Sequence, residues 1–203
     1  MPLDLLPATL RDGDHLLHIF KSVCPIHSTV ESYIRENIFS LKLKKGKNLH
    51  QEGEICEMIY FIKKGAVRGY IKEGKKDTTT WITVENELVA PIYSFIMQVP
   101  SIENMETIED SDLLAMSHHK MNDMYSIYPE SNLLARRLYE KYYADAEVRA
   151  LTARISKAEK KYEYFLKTYG HLANRIPLTY IASFLGISLE TLSRIRSKKR
   201  KIA

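Results

Sequence analysis

The chain has 203 residues, 45% of them hydrophobic and 27% charged, with a formal net charge of +5, which suits one or two packed domains and excludes a disordered or fibrous protein. No apolar run approaches the roughly 20 residues needed to span a bilayer, and MPLDLLPATLRDGD lacks the basic-then-apolar order of a leader, so a cytoplasmic protein with no membrane partner is expected. Two cysteines, Cys24 and Cys56, are too few for a disulfide framework or a Cys-ligated iron–sulfur cluster.

Residues 14–37 read as helical pieces interrupted at Pro25. From Phe39 the hydrophobic period falls to 2: FSLKLKK, MIYFIKK, AVRGYIKE, TTTWITV, METIED and DLLAMS are separated by glycine-bearing or polar turns. Short strands at such spacing predict an antiparallel roll or jelly-roll-like sheet. Between them, ELVAPIYSFIMQVPSIEN is apolar and bounded by prolines; it predicts a short helix and loop against the inside of the roll. Tyr93, Ser94, Phe95, Met97 and Gln98, with Tyr142 from the later tyrosine-rich tract, are the candidate lining of an effector pocket.

After the His118–His119 pair, expected on the surface at a helix start, the helical period returns. Between Pro129 and Ile155 there is neither glycine nor a further proline, which allows one helix of roughly 25 residues. Its apolar residues cover more than one stripe, so it needs two surfaces: its own roll and the same helix of a second copy. Leu134, Leu138, Tyr142, Val148 and Leu151 are the candidate homodimer contacts. SKAEKKYEYFLKTYG predicts a further helix.

The last stretch, PLTYIASFLGISLETLSRIRSKKRKIA, joins two short amphipathic helices through Gly186, with Ala182 leaving room for a crossing helix and Ser188 placed to cap the second. This is the pattern of a helix-turn-helix. Charge follows it: residues 1–150 hold 18 Lys and Arg against 22 Asp and Glu, net −4, whereas residues 151–203 hold 12 against 3, net +9. A basic second helix on an otherwise acidic chain points to double-stranded DNA. The expected architecture is α+β: a β-roll sensor over 1–128, a long dimerisation helix over 129–156, and a helix-turn-helix domain over 157–203.

In their order, these parts resemble the Crp/Fnr transcription regulators; YFIKKGAVRGY, the YPE before the long helix, and IASFLGISLETLSRIR carry the resemblance across nearly the whole chain. The resemblance implies a DNA-binding regulator with RNA polymerase as a further partner. It implies that Glu190 and Arg194 reach base edges, with Ser193 as in the fumarate–nitrate branch; Arg can bond guanine O6 and N7, and Glu can accept from cytosine N4. Thr191, Arg196, Lys198, Lys199, Arg200 and Lys201 are the candidate phosphate contacts. Leu189 stands where the catabolite-activator branch has an arginine, and a TTGA-like half-site core is expected. Cyclic-nucleotide binders of this type carry Gly-Glu and Arg-Ser or Arg-Thr-Ala segments; here no arginine occurs from Ala90 to Glu109, so cAMP is not the expected effector and no cofactor is assigned.

His15, His18, Cys24, His27 and Cys56 have nothing in their spacing that assembles them into a metal site. No nucleophile with its base, phosphate-binding glycine loop or paired carboxylates appear, so no enzyme is expected. The alternative is a small-molecule-binding module whose basic tail meets RNA, a membrane or a protein without sequence preference.

Overall fold

The computed structural model describes residues 3–74 and 76–200, without the side chains of residues 199 and 200. After a two-residue strand β1 (Leu6–Pro7), helices α1 (Leu10–Val23) and α2 (Ser28–Asn37) precede the sheets. α1 starts four residues before Asp14 because Thr9 and Asp12 form a reciprocal capping box, which satisfies two orphan backbone donors.

Strands β2 (Phe39–Leu43), β3 (Asn48–His50), β4 (Met58–Lys64), β5 (Ala66–Glu73), β6 (Lys76–Val84), β7 (Leu88–Val89), β8 (Asn104–Thr107) and β9 (Ser111–Ser117) form two antiparallel sheets, ordered β1-β2-β9-β4-β7 and β3-β8-β5-β6. Alternation decides the two faces. Tyr60 and Ile62 of β4, Val67 of β5, and Leu113 and Ala115 of β9 point between the sheets. Phe61, Leu114 and Met116 point outward, where Leu16, Leu17, Phe20, Val30 and Ile34 of α1 and α2 cover them. Both faces of the central strands are therefore buried, which explains why MIYFI reads as a continuous apolar run.

The segment expected against the inside of the roll instead forms α3 (Ile92–Met97) on its outside: Phe95 is fully buried in the cluster of Phe61, Leu114 and Met116. Then follow α4 (His118–Ile127), α5 (Ser131–Arg154) and α6 (Ala158–Tyr169), a short 3-10 turn (Gly170–Leu172), and α7 (Leu178–Leu185) and α8 (Leu189–Arg200). α5 buries Ser131, Leu134 and Ala135 against its own roll, and residues 143–154 contribute no buried side chain.

The last three helices sit on the roll through a mixed core, in which Ala66, Ile82 and Ile108 meet Tyr162, Phe165, Leu172, Ile176 and Ile181. Polar contacts fix the register of this seat. Arg175 Nη1 and Nη2 donate to Glu85 at 2.7 Å, and Nη2 also donates to Glu109 Oε2 at 2.7 Å and to the Gly65 carbonyl at 3.2 Å. Gly65, at φ +104, returns its N–H to Glu85 at 2.7 Å; a Cβ there would come within 2.8 Å of the Asp110 carbonyl. Nearby, the buried Arg68 guanidinium bonds Glu106, Asp77 and Thr79 and lies between the rings of Tyr70 and Tyr180, 4.3 and 4.1 Å from their centroids. Ser183 of α7 accepts from Thr79 N–H and donates to the Asp77 carbonyl, both on edge strand β6.

The Arg175 hydrogen bonds hold the Glu85 carboxyl down at about 2, below its ordinary 4.5. A depressed carboxyl contributes stability that is fully present above pH about 4.5 and is lost as pH falls towards about 2. Arg175→Ala should cost about 1 to 3 kcal/mol at neutral pH after solvent screening, and should flatten the pH dependence across that window. Urea unfolding at pH 7 and at pH 3 measures both effects.

Candidate nucleic-acid interface

Gly186 ends α7 at φ 61 and ψ 41, the left-handed region that glycine enters without a Cβ penalty. The turn closes as a Schellman motif, with Ile187 N–H on the Ala182 carbonyl and Gly186 N–H on Ser183, each at 3.0 Å. Ser188 then caps α8 by accepting from Thr191 N–H at 3.1 Å. Ile181, Ala182, Leu185, Leu192 and Ile195 are all buried, so α7 and α8 cross over a core shared with α6.

Fixing that inner stripe fixes the outer one. Glu190, Ser193, Arg194 and Ser197, at i, i+3, i+4 and i+7, share one exposed face of α8, with Lys198 exposed beside it. Glu190, Arg194 and Lys198 form no hydrogen bond or ion pair among the described residues. Ser197 was not foreseen; the same spacing from Glu190 would have found it.

Two candidate phosphate contacts are placed differently. Arg196 is half-buried and spends its guanidinium on the Ala173 carbonyl at 2.6 Å and Asn174 Oδ1 at 2.9 Å, bracing α8 against the turn before α7. The Thr191 hydroxyl accepts from Ser188 Oγ at 2.9 Å, within the cap. Lys201 lies outside the described residues, as do the side chains of Lys199 and Arg200.

The candidate effector lining does not come together. Tyr93 and Met97 are 72% and 57% exposed. Ser94 accepts from Cys56 N–H and donates to the Val99 carbonyl, and Gln98 donates to the carbonyls of Cys56 and Phe95, so both serve their own loop. Tyr142 is fixed elsewhere: its hydroxyl donates to Glu87 at 2.9 Å and accepts from Leu88 N–H at 2.8 Å, and burial raises the phenol well above its ordinary range. Of the five candidate dimer contacts, Leu134 and Leu138 pack in the core beneath α5, and Tyr142 is held by its own roll; only Val148 and Leu151 are exposed, at 39% and 58%.

A cavity of about 70 Å³ does exist, on the outer side of the roll. It lies between Phe61 and Leu114 of the sheet, Phe20 of α1, Met124 of α4, and Leu134 and Leu138 of α5. Leaving such a volume empty costs on the order of 2 kcal/mol.

Among the described residues no group of three or more His, Cys, Asp or Glu side chains could hold a metal ion. Cys24 and Cys56 are buried and unpaired, and burial pushes the Cys56 thiol up to about 11, which makes it inert at neutral pH.

Residues 40–128 match the family model of the cyclic nucleotide-binding domain. Regulatory protein HlyX of Actinobacillus pleuropneumoniae is 24% identical over 181 residues, covering 82% of this chain and 74% of its own. Transcriptional activator protein FnrA of Stutzerimonas stutzeri is 21% identical over 165 residues, covering 75% and 67%. The fold matches that of FixK2 from Bradyrhizobium japonicum with a TM-score of 0.70 at 19% identity, over 81% of this chain and 85% of that one.

The turn sets the angle between α7 and α8, so it can be tested apart from any ligand. A Cβ at Gly186 would meet nothing nearer than Lys161 Nζ at 3.6 Å, so the cost of substitution is conformational rather than steric. Gly186→Ala should destabilise by about 1 kcal/mol and Gly186→Asn by less, because asparagine tolerates the left-handed region. Thermal melts of the two variants check the order.

Proposed function

We propose that this chain, whose residues 40–128 form a cyclic nucleotide-binding-type roll and whose relatives are Crp/Fnr regulators, is a DNA-binding transcription regulator with a sensor domain. The observation that carries the reading is the outward face of α8: an acid, a hydroxyl and a guanidinium without internal partners, on a helix whose opposite face is locked in a core. In that arrangement Glu190, Ser193 and Arg194 read base edges, while Lys198 and the basic residues after it meet phosphate. Arg196 positions the helix.

The same reading makes the protein a homodimer. Residues 143–154 of α5 contribute no fully buried side chain, and an isolated helical segment of about that length is marginal in water. Val148 and Leu151, with Leu133 exposed on the same side, give a second copy of α5 an apolar stripe. Residues 1–128, 129–156 and 157–203 then act as sensor, dimer helix and reader. Two readers about 34 Å apart would enter successive major grooves. The sensor's effector is not cAMP, because the buried guanidinium of the roll, Arg68, is already committed to Glu106 and Asp77. Such a regulator would work in the cytoplasm and meet RNA polymerase there; no helix among the described residues is long and apolar enough to cross a membrane.

A basic module without sequence preference would bind scrambled duplex equally well. On a duplex selected from a random pool, Arg194→Ala should cost about 1 to 3 kcal/mol and lose little on a scrambled one, while Lys198→Ala should weaken both alike and lower the salt slope by about one. Fluorescence anisotropy across a salt series reads both, and equal losses on the two duplexes for both variants would remove the assigned roles. Leu151→Lys should shift the protein to monomers in analytical ultracentrifugation and weaken binding to the selected duplex about tenfold or more.

A further inference from the structure

The 70 Å³ cavity beside α5 is walled by Phe20, Phe61, Met116, Met121, Met124 and Leu138. Its one serine is paired: Ser131 Oγ donates to the Met124 carbonyl at 3.3 Å. Among the described residues the buried side-chain atoms without a partner are His50 Nε2 and Asn104 Nδ2, both in the other sheet. An ordered water needs two to four polar partners, so this space repels water and favours an apolar guest.

The space adjoins the surface of α5. Tyr125 and Ala135 line both the cavity and an open groove outside α5, bounded by Asn132, Arg136, Tyr139 and Tyr143. Three methionines in the wall add adaptable, polarisable surface.

We propose that this cavity is a binding site for a small uncharged apolar molecule, a dissolved gas or a short hydrocarbon. About two waters' share of liquid volume would fit, which limits the guest to roughly two to four heavy atoms. Leu134, Ala135 and Leu138 of α5 form one wall, so an occupant bears directly on the helix that leads to the reader. That consequence rests on the DNA-binding reading; the site itself does not.

Xenon is the probe, applied to the full chain carrying ¹³C-methyl methionine and no DNA. The site predicts saturable shifts at the Met116, Met121 and Met124 methyls with exposed Met97 unmoved, and an effect about tenfold smaller in Ala135→Leu, which fills the space. Shifts linear in xenon pressure and equal at Met97, or unchanged in Ala135→Leu, would overturn the proposal. Xenon-pressurised crystals of the unaltered chain need no variant: density among these side chains supports the site, and its absence refutes it. Either negative result leaves the DNA-binding reading intact.

Discussion

Arg175 reaches from the last third of the chain to two carboxylates of the roll, and each hydrogen bond it gives fixes one coordinate of how the two parts meet. The apolar seat beneath it, Ala66, Ile82 and Ile108 against Phe165, Leu172 and Ile176, supplies attraction without direction. Glu85 and Glu109 would repel each other without a cation between them. With the guanidinium in place, the Gly65 N–H and carbonyl close the arrangement and leave it one geometry.

α5 is held in two different ways along its length. Its first half is fastened to the roll by Leu134, Leu138 and the Tyr142 hydroxyl on Glu87, with Lys141 paired to the same carboxylate. Its second half leaves the roll behind. The helix runs without a break to Arg154, and after a short turn at Ile155 the chain enters α6.

Period and turn chemistry were enough to read the strands, the long helix and the helix-turn-helix from the sequence. Gly186, Ser188 and the spacing of Ile181, Leu185, Leu192 and Ile195 are local signals, and local signals survive in one dimension. The start of α1 at Leu10 differs from the helical reading that begins at residue 14, although Thr9 and Asp12 carry its capping signal in the sequence. Arg196, Tyr142 and Tyr93 show where such reading stops. A helical wheel gives the angle at which a side chain leaves the helix; it does not say which distant backbone meets it there. Arg196 finds a carbonyl 23 residues away, and Tyr142 a backbone N–H 54 residues away. Phe95 turned outward from the roll because the uncovered side of Phe61 and Leu114 offered more apolar surface than the already filled interior.

β6 ends its sheet, and a single serine of α7 occupies the backbone groups of Thr79 and Asp77 on its free side. Any motion that lifts α7 away would uncover a ready template onto which a foreign extended peptide could zip. Mobility of α7 and protection from strand-mediated self-association are thus set against each other at the Ser183 hydroxyl.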